Sequence, residues 1–510
     1  MASDSGLDVG RGLVRTDKTS FGPRVGAAFM LTSKSVLRGG YGLYYPTSAA
    51  QGIRDPIATN PFNNTRTYNS PTGGWPVSGS TTGTSPINGG TLKPFGNTPT
   101  ANYVPVNLRN PRTQQWNVTY EQEIPWQSSL RFSYIGAKQT GQVVGRDLDM
   151  IAPSDNPFGT TIGDGVTPCD PINNGDCAYS DADAARLSFP ALGDYILGYG
   201  NLGHSLTGSF QAQVQRQTKA LYFSLAYTYL DQNSSGLDLG NSSLGGAAYN
   251  PFEPDSDYGS ESFTSRQRVV GNGVFDLPVG HGHRYLGNSS GFADAILGGW
   301  QATTNLFVKS GTPYTPFWFC DDCDPVTPGN VASGAIDAVG DFNGPSFRPV
   351  ISGNYKKAAS GFQWDAAAFG LPSIGSDLYT QAGVAKRNAL IGPGTFGMNL
   401  GLHKSFHIYE RASVQVGADF DNVFNHPMKA PDINDGGGGG TFAMLGDFFL
   451  GVDQNGSSTP GQQPALLPLD PNPDDGLVNY NPDFGRLYRS YSQEGVDSRR
   501  SIRLRARITF

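Results

Sequence analysis

The sequence lacks any continuous apolar run of the roughly 18 to 20 residues that a membrane-spanning helix requires. Charged residues are also scarce, at 15% of the 510 residues, where about a quarter is usual in globular domains. Glycine, in contrast, reaches 68 residues, and aromatic residues make up 11%. This composition argues against a helical protein and favours strands joined by long polar loops.

Two further absences bear on partners and on export. The net charge of -7 supplies no basic stripe, so the sequence predicts no nucleic-acid partner. The first residues, MASDSGLDVGRG, show no basic segment followed by an apolar core, so no signal peptide is visible. For an exported protein, that absence would mean that the front of the protein is missing.

Cysteine is rare, and its four residues form two close pairs, Cys169 with Cys177 and Cys320 with Cys323. The Cys-x-x-Cys spacing of the second pair can supply two thiolate ligands to zinc. The first pair has a seven-residue gap, however, and no histidine lies beside either pair. Two local disulfides in exported loops therefore fit better, with unpaired thiols and a metal site as the alternatives.

No arrangement typical of catalysis stands out from the sequence. His281 and His283 fall in a predicted turn without a nearby acid, and His403 and His407 fall at a strand end and in a turn, where helical ligand spacing has no meaning. The glycine run at 436–440 follows no buried strand and precedes no Lys-Ser/Thr, so it is not a phosphate-binding loop. The sequence predicts no enzyme, cofactor or metal site.

What the sequence does contain is strict alternation of apolar and polar residues, which has a period of two and predicts strands. The last ten residues, SIRLRARITF, place three arginines on one side of such a strand. The opposite side carries Ile502, Leu504, Ala506, Ile508 and Phe510. Eleven strands are predicted in all, at 22–32, 34–45, 114–124, 128–138, 206–216, 219–231, 266–278, 297–309, 396–406, 410–423 and 498–510.

Two architectures produce this pattern, a soluble β-sandwich and an outer-membrane β-barrel. Sandwich strands usually run about five or six residues, whereas a tilted membrane strand needs about 9 to 11. The predicted segments reach the longer length. Short connections also alternate with long ones, which is typical of a barrel with tight periplasmic turns and large external loops. The long loops are predicted at 47–113, 139–204, 232–265, 310–395 and 424–496.

The sequence therefore predicts an all-β protein, an antiparallel transmembrane β-barrel with long extracellular loops, in the bacterial outer membrane. The apolar row of each strand would contact lipid, and the polar row would line the lumen. An arginine on the lipid face would cost about 2 to 4 kcal/mol at the midplane, so the terminal arginines are placed in the lumen. Candidate lumen-lining residues are Arg503, Arg505, Arg507, Gln211, Gln213 and Gln215, and Phe510 would join the aromatic girdle.

The strand count raises a problem of parity. If the last strand runs towards the periplasm, eleven antiparallel strands require the first strand to run towards it as well. A closed bacterial barrel has an even number of strands, and an open sheet edge inside lipid leaves backbone groups unpaired. Either the count of eleven strands is wrong, or more strands precede residue 1. We expect residues 1–510 to form a single barrel domain that is incomplete at its N-terminal side.

Several segments resemble the barrel of Oar-like TonB-dependent outer-membrane transporters. They include FGPRVGAAFMLTSKSVLRGGYGLYY (21–45), NPRTQQWNVTYEQEIPWQSSLRFSYIGAK (110–138) and LGGWQATTNLFVKSGTPYTP (297–316). RQRVVGNGVFDLPVGHGHRYLG (266–287) and ERASVQVGADFDNVFNHP (410–427) extend the match. Within the last segment, the piece NVFNHP is a fairly specific marker.

The resemblance implies a 22-stranded barrel, of which this chain would be the C-terminal half. It also implies a signal peptide, a plug and a TonB box, none of which is visible in the sequence. Contact with TonB would therefore depend on parts not present, and the external ligand is unknown. A terminal strand ending in an aromatic residue, here Phe510, also resembles the signal read by the barrel-assembly machinery.

Two other functions remain open at this point. One is a non-transporting outer-membrane surface protein, whose loops mediate adhesion. The other is a secreted all-β protein that binds or cleaves sugars. Solubility without detergent would favour the secreted protein, and a plug with a TonB box upstream would favour transport.

Overall fold

The structure of the chain is a computed structural model, and its described residues form sixteen segments. These are 17–46, 101–148, 161–162, 177–178, 196–235, 254–261, 264–289, 291–320, 346–370, 382–409, 412–432, 442–448, 479–481, 483–490, 492–493 and 496–510.

The main element is one sheet in which eleven long strands follow one another in chain order. They are β1 (Arg24–Thr32), β2 (Ser35–Tyr44), β3 (Arg112–Ile124), β4 (Ser128–Asp147), β5 (Ile196–Gln217), β6 (Leu221–Ser235), β7 (Gln267–Asp276), β8 (Trp300–Lys309), β9 (Thr395–Tyr409), β10 (Ala412–Asp421) and β11 (Ser501–Thr509). Every neighbouring pair is antiparallel. The eleven strands predicted from the alternation are confirmed.

Tight turns join the strands at one end of the sheet, which we call the short-turn end. Trp126 and Gln127 adopt positive φ angles of 65° and 53° between β3 and β4. In the turn between β5 and β6, the backbone N–H of Leu221 donates to the hydroxyl of Thr218 at 3.0 Å. These local contacts fix the register of each hairpin, so alternate side chains emerge on opposite faces.

Two strands extend well beyond the predicted bounds. β4 has 20 residues and β5 has 22, so residues 139–147 and 196–204 are in strands, although they were predicted as part of the loop at 139–204. Both strands are about twice as long as the roughly 9 to 11 residues needed to cross a bilayer. Strands of this length would extend beyond a bilayer at the end opposite the tight turns, which we call the long-loop end.

The long connections contain further short strands. They are Ala101–Tyr103, Thr161–Ile162, Cys177–Ala178, Tyr258–Ser260, Pro313–Cys320, Ser346–Phe347, Val350–Ile351, Phe369–Gly370, Leu390–Ile391, Met428–Pro431, Phe442–Phe448, Asn479–Tyr480, Leu487–Ser490, Ser492–Gln493 and Val496–Asp497. Pro313–Cys320 pairs with Phe442–Phe448, which ties the connection after β8 to the connection after β10.

Most of the apolar core lies in these connections, and the extended parts of β4 and β5 add Val144 and Tyr199. Trp318, Leu390 and Leu445 are completely buried, and Trp364 packs against Phe484 with ring centroids 5.5 Å apart. The apolar side chains of the sheet, in contrast, are largely exposed along β1 and β11. An exposed apolar row on long strands is what a membrane-facing sheet requires.

The two edges of the sheet remain open among the described residues. β1 pairs only with β2, and β11 pairs only with β10. Because ten antiparallel pairings separate them, β1 and β11 run in the same direction. The sheet is thus a barrel wall that is not closed on itself.

Helices are short. One α-helix, α1 (Phe292–Leu297), lies in the connection between β7 and β8, and 3-10 turns occupy Pro254–Asp257 and Ala366–Ala368. None of the helices in the described part of the chain has the length and apolarity needed to cross a membrane.

Candidate functional site: the polar face of the sheet

The strand register separates the side chains of the sheet into a polar face and an apolar face. Gln211, Gln213 and Gln215 on β5 pair with Ser133, Arg131 and Ser129 on β4, which places all three predicted glutamines on the same face. The residues between them belong to the opposite, apolar face, where the rings of Phe210 and Phe132 stack with centroids 6.5 Å apart.

A charged cluster lies on the polar face near the short-turn end. Glu121 on β3 is 3.1 Å from the guanidinium of Arg38 and 2.8 Å from that of Arg131. A cavity of about 310 Å³ next to this cluster is also lined by Gln213 and Gln215. Both arginines are more than half exposed, so these pairs supply charge and hydrogen-bonding capacity more than stability.

A second charged cluster joins the last two strands. Arg503 Nη2 contacts both carboxylate oxygens of Asp421 at 2.8 Å and 3.1 Å, and Arg505 forms an ion pair with Asp419. Arg507 pairs in register with Gln415. The three predicted arginines therefore share one face with the acidic residues of β10.

A histidine that sequence reasoning placed at a strand end completes this cluster. His403 lies inside β9, and its Nε2 is 3.1 Å from Asp419 Oδ1. The imidazole lies against Gly417, directly opposite in register, where a Cβ atom would overlap the ring. Correct strand bounds and the period of two would have placed His403 on the polar face.

A buried polar network at the long-loop end was not visible in the sequence. Arg387 donates from Nε to the Asp257 carbonyl at 3.0 Å and from Nη2 to the Ser234 carbonyl at 2.7 Å. Asp257 also pairs with Arg348, and the Ser234 hydroxyl donates to the carboxylate of Glu261. All five residues are buried. The network joins the end of β6 to the connections that follow β6 and β8.

Two uncharged side chains extend this network. Asn388 adopts a positive φ of 58°, and its Nδ2 donates to the Ser260 carbonyl at 2.5 Å. Its backbone N–H donates to the Thr315 hydroxyl at 2.9 Å. Buried polar groups that are satisfied in this way fix one arrangement of the segments that carry them.

Tyr258 marks the surface of the same region. Its ring stacks on the imidazole of His204 with centroids 4.8 Å apart. Partial burial raises the pKa of the Tyr258 phenol, and the nearby carboxylate of Asp231 adds to the increase. The phenol therefore remains protonated at neutral pH and can donate a hydrogen bond.

Several features predicted from the sequence do not belong to these clusters. Cys169 and Cys323 are outside the described residues, and the side chains of Cys177 and Cys320 are too, so the disulfides stay a prediction. His281 and His283 are exposed in a turn, but an acid is near after all, because Asp294 accepts the backbone N–H of His281. Among the described residues, no group of three or more His, Cys, Asp or Glu could hold a metal ion.

Comparison with known proteins identifies the protein family to which the long sheet belongs. The model of the outer membrane beta barrel domain family matches residues 1–443. The chain belongs to this family. It is an outer-membrane β-barrel protein of bacteria, so its apolar face contacts lipid, and by the topology of such barrels its short-turn end lies in the periplasm.

Solved structures similar to this outer-membrane β-barrel protein are transporters and receptors. The outer membrane transporter YddB from Escherichia coli aligns with 11% identity and a TM-score of 0.36, over 80% of this chain and 37% of that chain. The ferric citrate transporter FecA aligns with 9% identity and a TM-score of 0.34, over 83% and 36%. For the ferripyoverdine receptor of Pseudomonas aeruginosa, the values are 9%, 0.32, 84% and 31%.

The chain therefore spans about a third of the length of these proteins. A search of the curated proteins found no match.

Proposed function

We propose that this chain forms the C-terminal part of the barrel of an Oar-like TonB-dependent outer-membrane transporter or receptor, whose substrate is unidentified. The observation that carries the proposal is the eleven-stranded sheet with two open edges. Small barrels of about eight strands close on an interior filled by side chains, whereas the largest ones enclose a plugged lumen. A wall of eleven strands that does not close fits the larger class.

Strand parity constrains how many strands outside this chain the barrel would need. β1 and β11 run in the same direction, so direct pairing between them would be parallel. An all-antiparallel barrel instead needs an odd number of additional strands between the two edges. Backbone groups at an open edge cannot stay unpaired in hydrocarbon, because each unsatisfied group costs several kcal/mol. Eleven further strands would give the 22 strands that the family resemblance implies.

In this barrel the polar face would line the lumen. Its glutamines, together with Arg503, Arg505 and Arg507, would then face water or the acidic surface of a plug. The charged clusters around Glu121 and Asp419 support this assignment, because paired charges on a lipid-facing surface would be expensive. Solute would meet the long-loop end first, where the network around Arg387 holds the connections together.

The remaining partners follow from the same architecture. Phe510 is 95% exposed directly after β11, and we propose that it serves as the terminal signal for the barrel-assembly machinery. Contact with TonB would be made by parts of the protein outside this chain. The proposal assigns the chain a transport role and no catalytic one.

The experiment uses the full gene product with an affinity tag inserted between Lys356 and Lys357, which are both exposed. Membranes are solubilised, and binding of the purified periplasmic domain of TonB is measured, with and without a ferric citrate probe and a set of oligosaccharides and peptides. Stoichiometric TonB binding supports the proposal. The proposal would be contradicted if TonB does not bind and if a protonophore does not affect the uptake of whichever of these probes the protein transports.

A further inference from the structure

The connection between β7 and β8 differs from the other short-turn connections. Those connections contain two or three residues, whereas the connection at 277–299 is longer, and its described residues, 277–289 and 291–299, form a folded segment that includes α1. This segment exposes five large apolar side chains. They are Tyr285, Leu286, Phe292, Ile296 and Leu297, with Phe292 at 80% exposure.

The apolar side chains of α1 lie on one side of the helix. Phe292 and Ile296 are four residues apart, so they emerge on the same side. Asp294 emerges on the opposite side, where its carboxylate accepts the backbone N–H of His281 at 2.5 Å and the hydroxyl of Ser289 at 3.2 Å. The single acid of the helix is thus turned into its own connection, and the exposed side is entirely apolar.

Two residues of the apolar face hold the helix in place. Trp300 Nε1 donates to the Ile296 carbonyl at 2.8 Å. Lys404 Nζ donates to the Gly298 carbonyl and lies 3.4 Å from the Asp294 carbonyl. Trp300 and Lys404 are paired in register between β8 and β9, on the same side as Leu402 and Ala302.

This contact explains a cation on the lipid-facing surface. Lys404 is 6% exposed, and burial of its ammonium group would be costly without compensation. The carbonyls at the C-terminal end of α1 supply that compensation, because they carry partial negative charge. The helix is therefore fixed against the rim of the apolar face.

The attachment of α1 lies among side chains of the apolar face of the sheet. Phe406, another member of the apolar face, lies 5.1 Å from Lys404 Nζ. Two basic groups lie at the same end of the sheet, since half-buried Arg216 is on the apolar face of β5 and Arg284 is exposed beside Tyr285 in the connection that carries α1. An apolar side flanked by cations fits the boundary between acyl chains and phosphate headgroups.

We propose that residues 277–299 form an interfacial anchor that binds anionic phospholipid in the periplasmic leaflet. Phe292 and Ile296 enter the acyl-chain region, and Arg284 contacts headgroup phosphates. The anchor fixes the depth and rotation of the wall in the bilayer at β8 and β9. This inference uses the membership of the family and not the proposed transport function.

The test measures immersion depth by spin labelling of the full-length protein in outer-membrane vesicles. The four native cysteines are replaced by serine, and single cysteines are introduced as Phe292→Cys, Ile296→Cys and, as the matched control in the same connection, Asn288→Cys. Asn288 is also exposed, but it lies outside α1. Collision rates with oxygen, which partitions into hydrocarbon, are compared with those of a water-soluble nickel complex.

We expect labels at 292 and 296 to collide several-fold more often with oxygen than with nickel, and the label at 288 to show the reverse. Nickel access at 292 equal to that at 288 would overturn the proposal, because α1 would then lie in water. Protection from both reagents would also overturn it, because the helix would then contact protein.

A second variant tests the attachment. Lys404→Met removes the ammonium group but keeps an apolar side chain of similar length, so the sheet itself is preserved. We expect it to raise nickel access at 292 several-fold. Spin-label mobility on the neighbouring strand β8 reports whether the strand still folds. An unchanged depth at 292 on an intact β8 would show that the contact with Lys404 does not hold the helix.

Discussion

The indole of Trp116 on β3 lies over Gly136, its direct partner on β4, so that a Cβ atom at Gly136 would overlap the ring. The relationship recurs on the polar face, where Phe307 covers Gly397 and His403 covers Gly417. In each pair a ring fills the space above the glycine opposite in register. Part of the glycine content is thus explained by cross-strand packing of rings.

This packing predicts opposite effects for two neighbouring glycines. Gly136→Ala should destabilise the sheet by about 1 to 3 kcal/mol, because the ring of Trp116 must move. Gly208, the partner of Gly136 on β5, has only the Tyr134 hydroxyl at 3.4 Å from an added Cβ. Gly208→Ala should therefore be neutral or stabilise by up to about 1 kcal/mol. Unfolding in urea, from lipid vesicles, measures both, and equal effects would contradict the packing account.

The assignment of the apolar face to lipid predicts that arginine substitutions at two adjacent residues of β10 have different costs in stability. Val416 pairs with Ala506 on the apolar face, and Gln415 pairs with Arg507 on the polar face. Val416→Arg places a cation near the middle of a ten-residue membrane strand and should cost about 2 to 4 kcal/mol. Gln415→Arg should change the free energy of unfolding by less than about 1 kcal/mol. The same unfolding measurement applies, and comparable losses in both variants would be inconsistent with a lipid-facing Val416.

The network around Arg387 predicts local opening of the long-loop end. Arg387→Met leaves the buried Glu261 and two carbonyls without the guanidinium, a change that typically costs about 3 to 5 kcal/mol. Arg387→Lys keeps the charge but not the planar fork, so its effect should be smaller but still measurable. Hydrogen exchange of the amides at 258–261 reports the opening.

In this experiment the amides of β8 serve as the internal reference. They should keep their protection in both variants, since the main sheet does not depend on the network. Unchanged exchange at 258–261 in Arg387→Met would show that the connections are held by other contacts.

Asp294 predicts an acid-dependent change in the connection that carries α1. The backbone N–H of His281 holds the pKa of the Asp294 carboxyl below its ordinary value of 3.8, and the Ser289 hydroxyl adds to the effect. A carboxyl with a depressed pKa contributes stability that is fully present above the ordinary pKa and is lost as the pH falls through the lowered one. The order of α1 should therefore be constant from neutral pH to about pH 4 and then decrease.

Mobility of a spin label at position 292, followed during acid titration, measures this change. Asp294→Asn removes the titrating group, so its mobility should not depend on pH in the same range. A transition that persists in Asp294→Asn would assign the change to another group.

The alternation was enough to predict the long sheet, because a strand with lipid on one face and water on the other alternates apolar and polar residues. The predicted bounds 114–124 and 498–510 lie within three residues of the observed Arg112–Ile124 and Ser501–Thr509. The alternation did not predict the part of a strand that extends beyond the bilayer. Residues 139–147, QTGQVVGRD, continue β4 without a regular apolar row, since β4 has left the bilayer by then.

The buried network around Arg387 and the helix α1 could not be predicted from the sequence, for two different reasons. Arg387 is separated in sequence by 130 residues from Asp257 and by 153 residues from Ser234, so no local sequence pattern indicates these contacts. The helix α1 has six residues, which is too short for a period of 3.6 to be visible. Lys404 interrupts the apolar row of β9, and that single break was the one local sign that something covers the rim.

The orientation of β5 tests the central claim most directly. In a background without the four native cysteines, single cysteines at 210, 211, 212, 213, 214 and 215 are exposed to a small charged methanethiosulfonate in outer-membrane vesicles, and the denatured protein serves as the control for reactivity. We expect the reagent to modify 211, 213 and 215 and to spare 210, 212 and 214. Modification of all six at similar rates, or of the apolar set alone, would contradict a sheet that has lipid on one face and water on the other.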